Sequence, residues 1–256
     1  MKLHFVGTGG GRFVTASQKR KTGGIILEGK ESSIYIDPGP GALVHSREYN
    51  TEKLKGLIVS HSHLDHYSDA EPIIEKITDF HKNNCTLAGP ESVLNGYGDI
   101  EKTVSSYHQK TCNNVINLTE ENGEIQEFEI EAQEMFHTEP KTVGLKITEQ
   151  DKTVGFWTDT EYSDELTKFY KDCDIIVIYC LRPKNSKVRG HTQLNKVPQI
   201  LETCEASTAI ITHFGSRFLE SDMKEQKDWL KSKVDQKIIF AEDGMTFPGD
   251  RKLGSF

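Results

Sequence analysis

The chain has 256 residues, 35% hydrophobic and 27% charged, with a formal net charge of −8 when histidine is neutral. This is the balance of a globular protein with room for a sizeable core, and no apolar stretch approaches the ~20 residues that a membrane-spanning helix needs. The acidity disfavours long-range attraction to nucleic acid or anionic membrane, while leaving a local cationic site open.

Met1-Lys2-Leu3-His4-Phe5-Val6 lacks the basic-then-apolar run of a secretory signal. Short apolar runs bounded by glycine, Leu3 to Val6, Gly24 to Leu27 and Ser33 to Ile36, predict strands joined by tight turns. Leu57 to Ser60 is a buried strand that leads straight into a histidine cluster. Ile73, Ile74, Ile77 and Phe80 fall at helical spacing and predict a helix over Ser68 to Lys82. Strands are then expected at Cys85 to Ala88, Ile125 to Phe136, Thr142 to Thr148 and Thr153 to Thr158. Asp164 to Cys173 reads as a helix before a central strand, Asp174 to Tyr179. A helix over Thr192 to Glu205, a strand Ala209 to Thr212 and a polar amphipathic helix over Glu220 to Val234 follow. Ile238 to Phe240 and Met245 to Phe247 close the chain as strands. No repeat or linker divides it, so a single domain over residues 1–256 is expected, with two β-layers and helices packed outside, an α/β sandwich. The cysteines Cys85, Cys112, Cys173, Cys180 and Cys204 are scattered and odd in number, and read as free thiols of a cytoplasmic protein.

Three of the ten histidines fall in one hexapeptide, His61-Ser62-His63-Leu64-Asp65-His66. A match to His-x-His-x-Asp-His by chance is about a one-in-a-thousand event, which sets it apart from a solvated polar loop. In an extended segment alternate residues point the same way, so His61 and His63 can share one ion while Asp65 and His66 face another. Imidazole and carboxylate suit zinc and equally manganese or iron. Further candidate ligands, His137, Asp159 and His213, each stand at the end of a predicted strand.

With Val6-Gly7-Thr8-Gly9-Gly10-Gly11, Ile36-Asp37-Pro38-Gly39, Phe136-His137-Thr138, Thr158-Asp159-Thr160 and Thr212-His213-Phe214 in matching order, the chain resembles the metallo-β-lactamase fold superfamily over nearly its whole length. The resemblance implies a four-layer αββα sandwich and a binuclear site. It assigns His61, His63 and His137 to one divalent ion, Asp65, His66 and His213 to a second, and Asp159 to both, zinc being the first expectation and manganese or iron the others. A hydroxide bridging the ions would be the nucleophile, since coordination lowers the pKa of water towards ~7. Asp65 would be a ligand and could also orient that hydroxide. Asp37 reads either as a turn cap or, as in the family, as a hydrogen-bonding support for the ligands. Gly7 to Gly11 lacks the Gly-x-Gly-x-x-Gly of a nucleotide loop and reads as a turn that brings backbone close to the site. His4, His45, His81 and His108 lack comparable context.

His191, in Arg189-Gly190-His191-Thr192-Gln193-Leu194, matches no metal ligand. Phosphodiesterase branches of the superfamily, ribonuclease Z-like and small cyclic-phosphate phosphodiesterase-like, carry a histidine at this place that protonates the leaving alkoxide or contacts the phosphate. A helix-capping or packing histidine is the plain alternative. Only two short strands fit between His137 and Asp159, which leaves no space for the tRNA-gripping arm of ribonuclease Z. Cys180-Leu181-Arg182-Pro183 also lacks the glutamate that those enzymes place after the preceding strand. The expectation is therefore a metal-dependent phosphodiesterase acting on a small-molecule or cyclic phosphodiester, with His191 as general acid and no extended nucleic-acid surface. A lactonase or thioesterase is the second expectation; ribonuclease Z-type RNA processing and an iron-binding redox or sensing module rank lower. Arg182, Lys184, Lys187 and Arg189 form a basic stretch that reads as a phosphate clamp or a solvated loop, and Arg12, Lys19, Arg20 and Lys21 form another. Tyr67, Phe80, Tyr97 and Tyr107 could supply a homodimer interface, and core packing accounts for them equally well.

Overall fold

The computed structural model describes residues 1–249; residues 250–256 of the expected domain lie outside the described residues. Among the described residues there are fourteen strands: β1 (Lys2–Phe5), β2 (Ile25–Glu28), β3 (Ser33–Ile36), β4 (Leu54–Ile58), β5 (Thr86–Gly89), β6 (Asn114–Asn117), β7 (Gly123–Ile125), β8 (Phe128–Glu134), β9 (Val143–Glu149), β10 (Lys152–Trp157), β11 (Ile175–Tyr179), β12 (Thr208–Thr212), β13 (Lys237–Phe240) and β14 (Thr246–Phe247). They form two seven-stranded sheets, ordered β14-β1-β2-β3-β4-β5-β6 and β13-β12-β11-β10-β9-β8-β7. In each sheet an antiparallel half passes into a parallel one, at the β3–β4 pair and the β10–β11 pair.

Three apolar clusters define the layers. Leu3, Ile25, Ile34 and Ile58 of the first sheet meet Phe128, Leu145, Phe156 and Val177 of the second. The outer face of the first sheet, with Tyr35, Leu57 and Leu87, packs on Ile73, Ile74 and Ile77 of the helix Ala70–Thr78. The outer face of the second, with Trp157, Ile176 and Ile178, packs on the helices Asp164–Phe169, Val197–Thr203 and Met223–Lys231. The result is the expected αββα sandwich. Strand β11 shows why its sequence is apolar without alternation: Val177 and Tyr179 enter the space between sheets while Ile176 and Ile178 face the helices, so both faces are buried.

Several boundaries differ from the sequence expectation. The run Ile125 to Phe136 is a hairpin, broken where Gln126 takes a positive φ of 54°. The helix expected to Lys82 stops at Thr78, because Asp79, Phe80 and His81 all adopt the left-handed conformation. Over Thr192 to Glu205 a 3-10 turn, Leu194–Lys196, precedes the α-helix Val197–Thr203 with Pro198 in its first turn. The last long helix spans only Met223–Lys231, capped by Asp222, whose carboxylate accepts from the Lys224 and Glu225 amides. Edge strand β6 and the short helix Arg12–Ser17 carry too weak a periodicity to be expected. Among the described residues no helix is long and apolar enough to cross a membrane. Phe80, Tyr97 and Tyr107 are exposed, whereas Tyr67 packs on the core.

Candidate metal centre

Every predicted ligand stands just beyond the carboxyl end of a strand. His61, His63, Asp65 and His66 follow β4, His137 follows β8, Asp159 follows β10 and His213 follows β12. The first sheet thus supplies four and the second three, and they meet at one end of the sandwich. Two ligand-competent groups result, His61, His63, His137 and Asp159 in one and Asp65, His66 and His213 in the other, each with donor atoms within 4.8 Å of one another.

In the first group His63 Nδ1 lies 3.0 Å from both His61 Nε2 and His137 Nε2. Asp159 Oδ2 is 3.8 Å from His61 Nε2 and 3.9 Å from His137 Nε2. In the second, His213 Nε2 lies 3.1 Å from His66 Nε2 and 3.2 Å from Asp65 Oδ2. Asp159 Oδ2 also comes within 3.5 Å of His66 Nε2, so one carboxylate oxygen stands between the groups.

The outer nitrogens of these rings fix where their protons sit. His137 Nδ1 donates to the Gly190 carbonyl at 2.5 Å. His61 Nδ1 donates to Ser60 Oγ at 3.0 Å, and Ser60 Oγ donates to Asp37 Oδ2 at 2.9 Å. His66 Nδ1 donates to the same Asp37 oxygen at 2.9 Å. Protons held outside leave the Nε2 lone pairs of both His61 and His137 turned to His63 Nδ1, which can donate a proton to only one of them, and a cation among the three satisfies all. His213 Nδ1 and Asp159 Oδ1 approach to 3.2 Å without hydrogen-bond alignment, and both are buried and otherwise unpartnered. Buried polar atoms left unpaired cost about 1–3 kcal/mol each, a cost that a bound cation removes. The donor set therefore fits divalent metal.

In the first group electrostatics agree with that fit, while in the second the lowering effect of burial on His66 is overcome by Asp37 and Asp65, which raise its pKa. Burial, then the neighbouring His66 and His137, push the His61 imidazole well below its ordinary range. Burial likewise lowers His63 and takes His137 down to about 4, keeping these rings neutral. Burial opposes ionisation of Asp65, but the His66 and His213 rings overcome it and hold the carboxyl low. Asp159 is held low in the same way by His213 and His191.

His191 belongs to neither group. Its Nδ1 lies 3.4 Å from Asp159 Oδ2, and its ring lines a cavity of about 430 Å³ together with His63, Asp65 and Asp159. The residues on either side are anchored. Gly190 N–H donates to Glu161 Oε1 at 2.7 Å. Trp157 Nε1 donates to Thr192 Oγ1 at 2.9 Å, and that hydroxyl donates to the Thr160 carbonyl. Glu161 and Trp157 carried no sequence signal, since a lone glutamate and a lone tryptophan have no diagnostic spacing.

The glycine turn does approach the site. Gly11 N–H donates to Asp65 Oδ2 at 2.6 Å, and a Cβ on Gly10 would lie 2.3 Å from the His213 ring. Tyr179, at the end of β11, donates its hydroxyl to Asp37 at 3.1 Å and stacks on His213 with ring centroids 5.2 Å apart. The basic stretches divide. Arg12 and Arg189 line the main cavity, Arg182 lines a neighbouring one, and Lys184 pairs with Glu225 at 2.7 Å. Arg20 donates to Thr8 and to the Ala241 carbonyl, a structural role. His4 and His108 sit in hydrogen-bonded clusters away from the centre, with Glu28 and with Glu71 and Glu75 respectively.

Residues 32–214 match the model of the Beta-lactamase superfamily domain. The chain is 30% identical over 259 residues to Uncharacterized protein MJ1374 of Methanocaldococcus jannaschii, covering 96% of this chain and 94% of that one. It is 24% identical over 257 residues to Probable metallo-hydrolase YhfI of Bacillus subtilis, covering 97% and 100%. The crystal structure of YhfI superposes with a TM-score of 0.81 at 18% identity, covering 96% of this chain and 98% of that one. A diphosphatase from the PhnP family superposes with a TM-score of 0.71 at 17% identity, covering 97% and 98%. By the family model and by the nearly full-length relative, this chain belongs to the beta-lactamase superfamily.

Proposed function

We propose that this protein is a cytoplasmic metal-dependent hydrolase that cleaves a small or cyclic phosphodiester, with His191 as the general acid. His61, His63 and His137 would hold one divalent ion, Asp65, His66 and His213 a second, and Asp159 would reach both. Zinc is the first expectation and manganese or iron the alternatives. Ions bound there supply an acidified water as nucleophile and charge stabilisation at phosphorus. Asp65 and Asp159, kept ionised by their histidine neighbours, supply the negative charge that retains the ions.

The observation that carries the reading is the place of His191. It lies outside both ligand groups, in the wall of the cavity that they floor, on a loop pinned at Gly190 and Thr192. An imidazole so fixed can give a proton to an oxygen leaving phosphorus, because imidazole titrates near neutrality. Neighbouring Arg12 and Arg189 favour an anionic substrate. The short β9–β10 hairpin between His137 and Asp159 leaves no arm for a folded RNA, which supports a small substrate.

His191→Ala tests the role. With adenosine 2′,3′-cyclic phosphate, whose leaving oxygen is a basic alkoxide, kcat should fall about 10²- to 10⁴-fold. With bis(4-nitrophenyl) phosphate, whose leaving group needs little protonation, the loss should be smaller, and metal content should match the parent. Equal losses on both substrates, or none, would sink the general-acid assignment. Turnover of lactones or thioesters with none of any phosphodiester would replace the phosphodiesterase reading.

A further inference from the structure

Beside the main cavity lies a second, of about 230 Å³, lined by Arg182, Ser216 and the apolar Phe13, Leu181 and Val188. Gly11, Arg12, Val188 and His191 line both cavities, whereas His63, Asp65 and Asp159 line only the larger. His191 therefore forms part of the partition between the proposed metal centre and the smaller cavity.

The smaller cavity carries arginines for which the described residues supply no counter-ion. Arg182 Nε is buried with no hydrogen-bond partner. Among the described residues no carboxylate lies within 4 Å of the guanidinium of Arg182, Arg12 or Arg217, although Lys184, two residues on, is paired with Glu225. Burial, and after it the nearby Arg217, act against the charged form of Arg182. The Arg182 backbone is fixed, its carbonyl accepting from Leu194 N–H at 3.0 Å. A guanidinium carried on a held backbone, its Nε buried and no carboxylate of the described residues within reach, is complemented by an oxyanion from outside.

We propose that this cavity seats a second oxyanion carried on the departing arm of the substrate, so that the preferred phosphodiester bears a carboxylate or phosphate on its leaving group. The inference rests on the phosphodiesterase reading above. In an in-line displacement the attacking and departing oxygens lie on opposite sides of phosphorus. Water adds to phosphorus, the P–O bond to the departing arm breaks, and the His191 proton goes to that oxygen. A phosphate monoester and a free alcohol or phenol result, with the proton of water replacing the one that His191 gives. The departing arm is the arm beside His191, and beyond His191 lies the Arg182 cavity. Phe13, Leu181 and Val188 form apolar walls for its carbon frame, and Arg182 and Ser216 meet its anionic end.

Three matched diesters test this: methyl 4-nitrophenyl phosphate, methyl 3-carboxy-4-nitrophenyl phosphate with the added anion on the departing ring, and carboxymethyl 4-nitrophenyl phosphate with it on the retained arm. The departing-ring carboxylate should raise kcat/KM about tenfold or more, as expected for a charge-assisted contact, and the retained-arm carboxylate should not. Arg182→Met should abolish that ratio and Arg182→Lys should keep part of it. As a binding readout, the phenol product 5-hydroxy-2-nitrobenzoate should bind the parent at least tenfold more tightly than 4-nitrophenol does, and this difference should vanish in Arg182→Met. Equal kcat/KM across the three esters, or a preference that survives in Arg182→Met, overturns the second-anion site while the phosphodiesterase reading stands. Failure to turn over any of the three, with lactones or thioesters accepted, overturns both.

Discussion

Asp37 takes four hydrogen bonds in the core of the site: Ser60 N–H on Oδ1, and Ser60 Oγ, His66 Nδ1 and Tyr179 Oη on Oδ2. It thereby orients His66 directly and His61 through Ser60, at the cost of a left-handed backbone, φ 52°, on a non-glycine residue. Replacing it with asparagine keeps the shape and puts a donating NH₂ group or a less basic oxygen where these donors converge. Asp37→Asn should lower metal affinity about 10- to 100-fold, read by chelator competition, because partners of the ligands set their orientation and basicity. A metal affinity equal to that of the parent would refute the orienting role. At this scale the hexapeptide is legible because several unusual residues recur at short spacing, whereas His191 stands out only through the resemblance to the phosphodiesterase branches. Asp37 was open between turn cap and support, and Tyr179 and Glu161 were invisible, because their partners lie far away in sequence.

Between elements, the β2–β3 turn of the first sheet is tied to the β7–β8 turn of the second by Glu127. Its Oε1 accepts from the Glu31 and Ser32 amides at 2.9 and 2.8 Å, and Oε2 from the Ser32 hydroxyl at 2.5 Å. Burial raises the pKa of Glu127, and the Ser32 hydroxyl and these amides outweigh it, so the folded value is lowered. The clasp is therefore fully present above the unfolded carboxyl pKa of ~4.3 and is lost as pH falls through the lower folded value. Glu127→Gln should cost about 1 kcal/mol at pH 7 in urea unfolding, with the difference shrinking below about pH 4. A difference that does not change with pH would assign the effect to shape instead of charge. The sequence pattern predicts one strand through this hairpin, because alternating acid and apolar residues continue across Gln126-Glu127 without glycine or proline to mark the turn.

At the scale of the whole molecule, the candidate ligands come from both sheets, four from the loop after β4 and three from β8, β10 and β12. Ions held there would cross-link the two sheets at an end where backbone hydrogen bonds, from Val143 N–H to the Ser60 carbonyl and from Phe214 N–H to the Thr8 carbonyl, already join them. Stabilisation by a ligand bound only to the folded state is about 2.7 kcal/mol at a hundredfold excess over Kd. Metal removal should accordingly lower Tm by about 5–10 °C, restored by adding zinc or manganese. A Tm that does not change on removal, with metal loss verified by elemental analysis, would exclude such a cross-link. The acidity seen in composition is compatible with this centre, because the unpaired arginines Arg12 and Arg182 gather in the cavities beside it.

The sequence by itself pointed to the fold class, the order of the strands that carry the site and the candidate ligands, and its family resemblance added His191. Those signals are local: apolar runs between glycines, and ligand residues at strand ends or in one short motif. The grouping of the ligands, with Asp159 between both, was implied by the family resemblance; only the tertiary structure decided that Glu161 and Trp157 pin the His191 loop and which members of the basic stretches face the cavities. Lys184 and Arg182 are alike in sequence terms. One finds a carboxylate in a helix 41 residues away, the other keeps a buried Nε that no group of the described residues meets, and that difference exists only once the chain has folded.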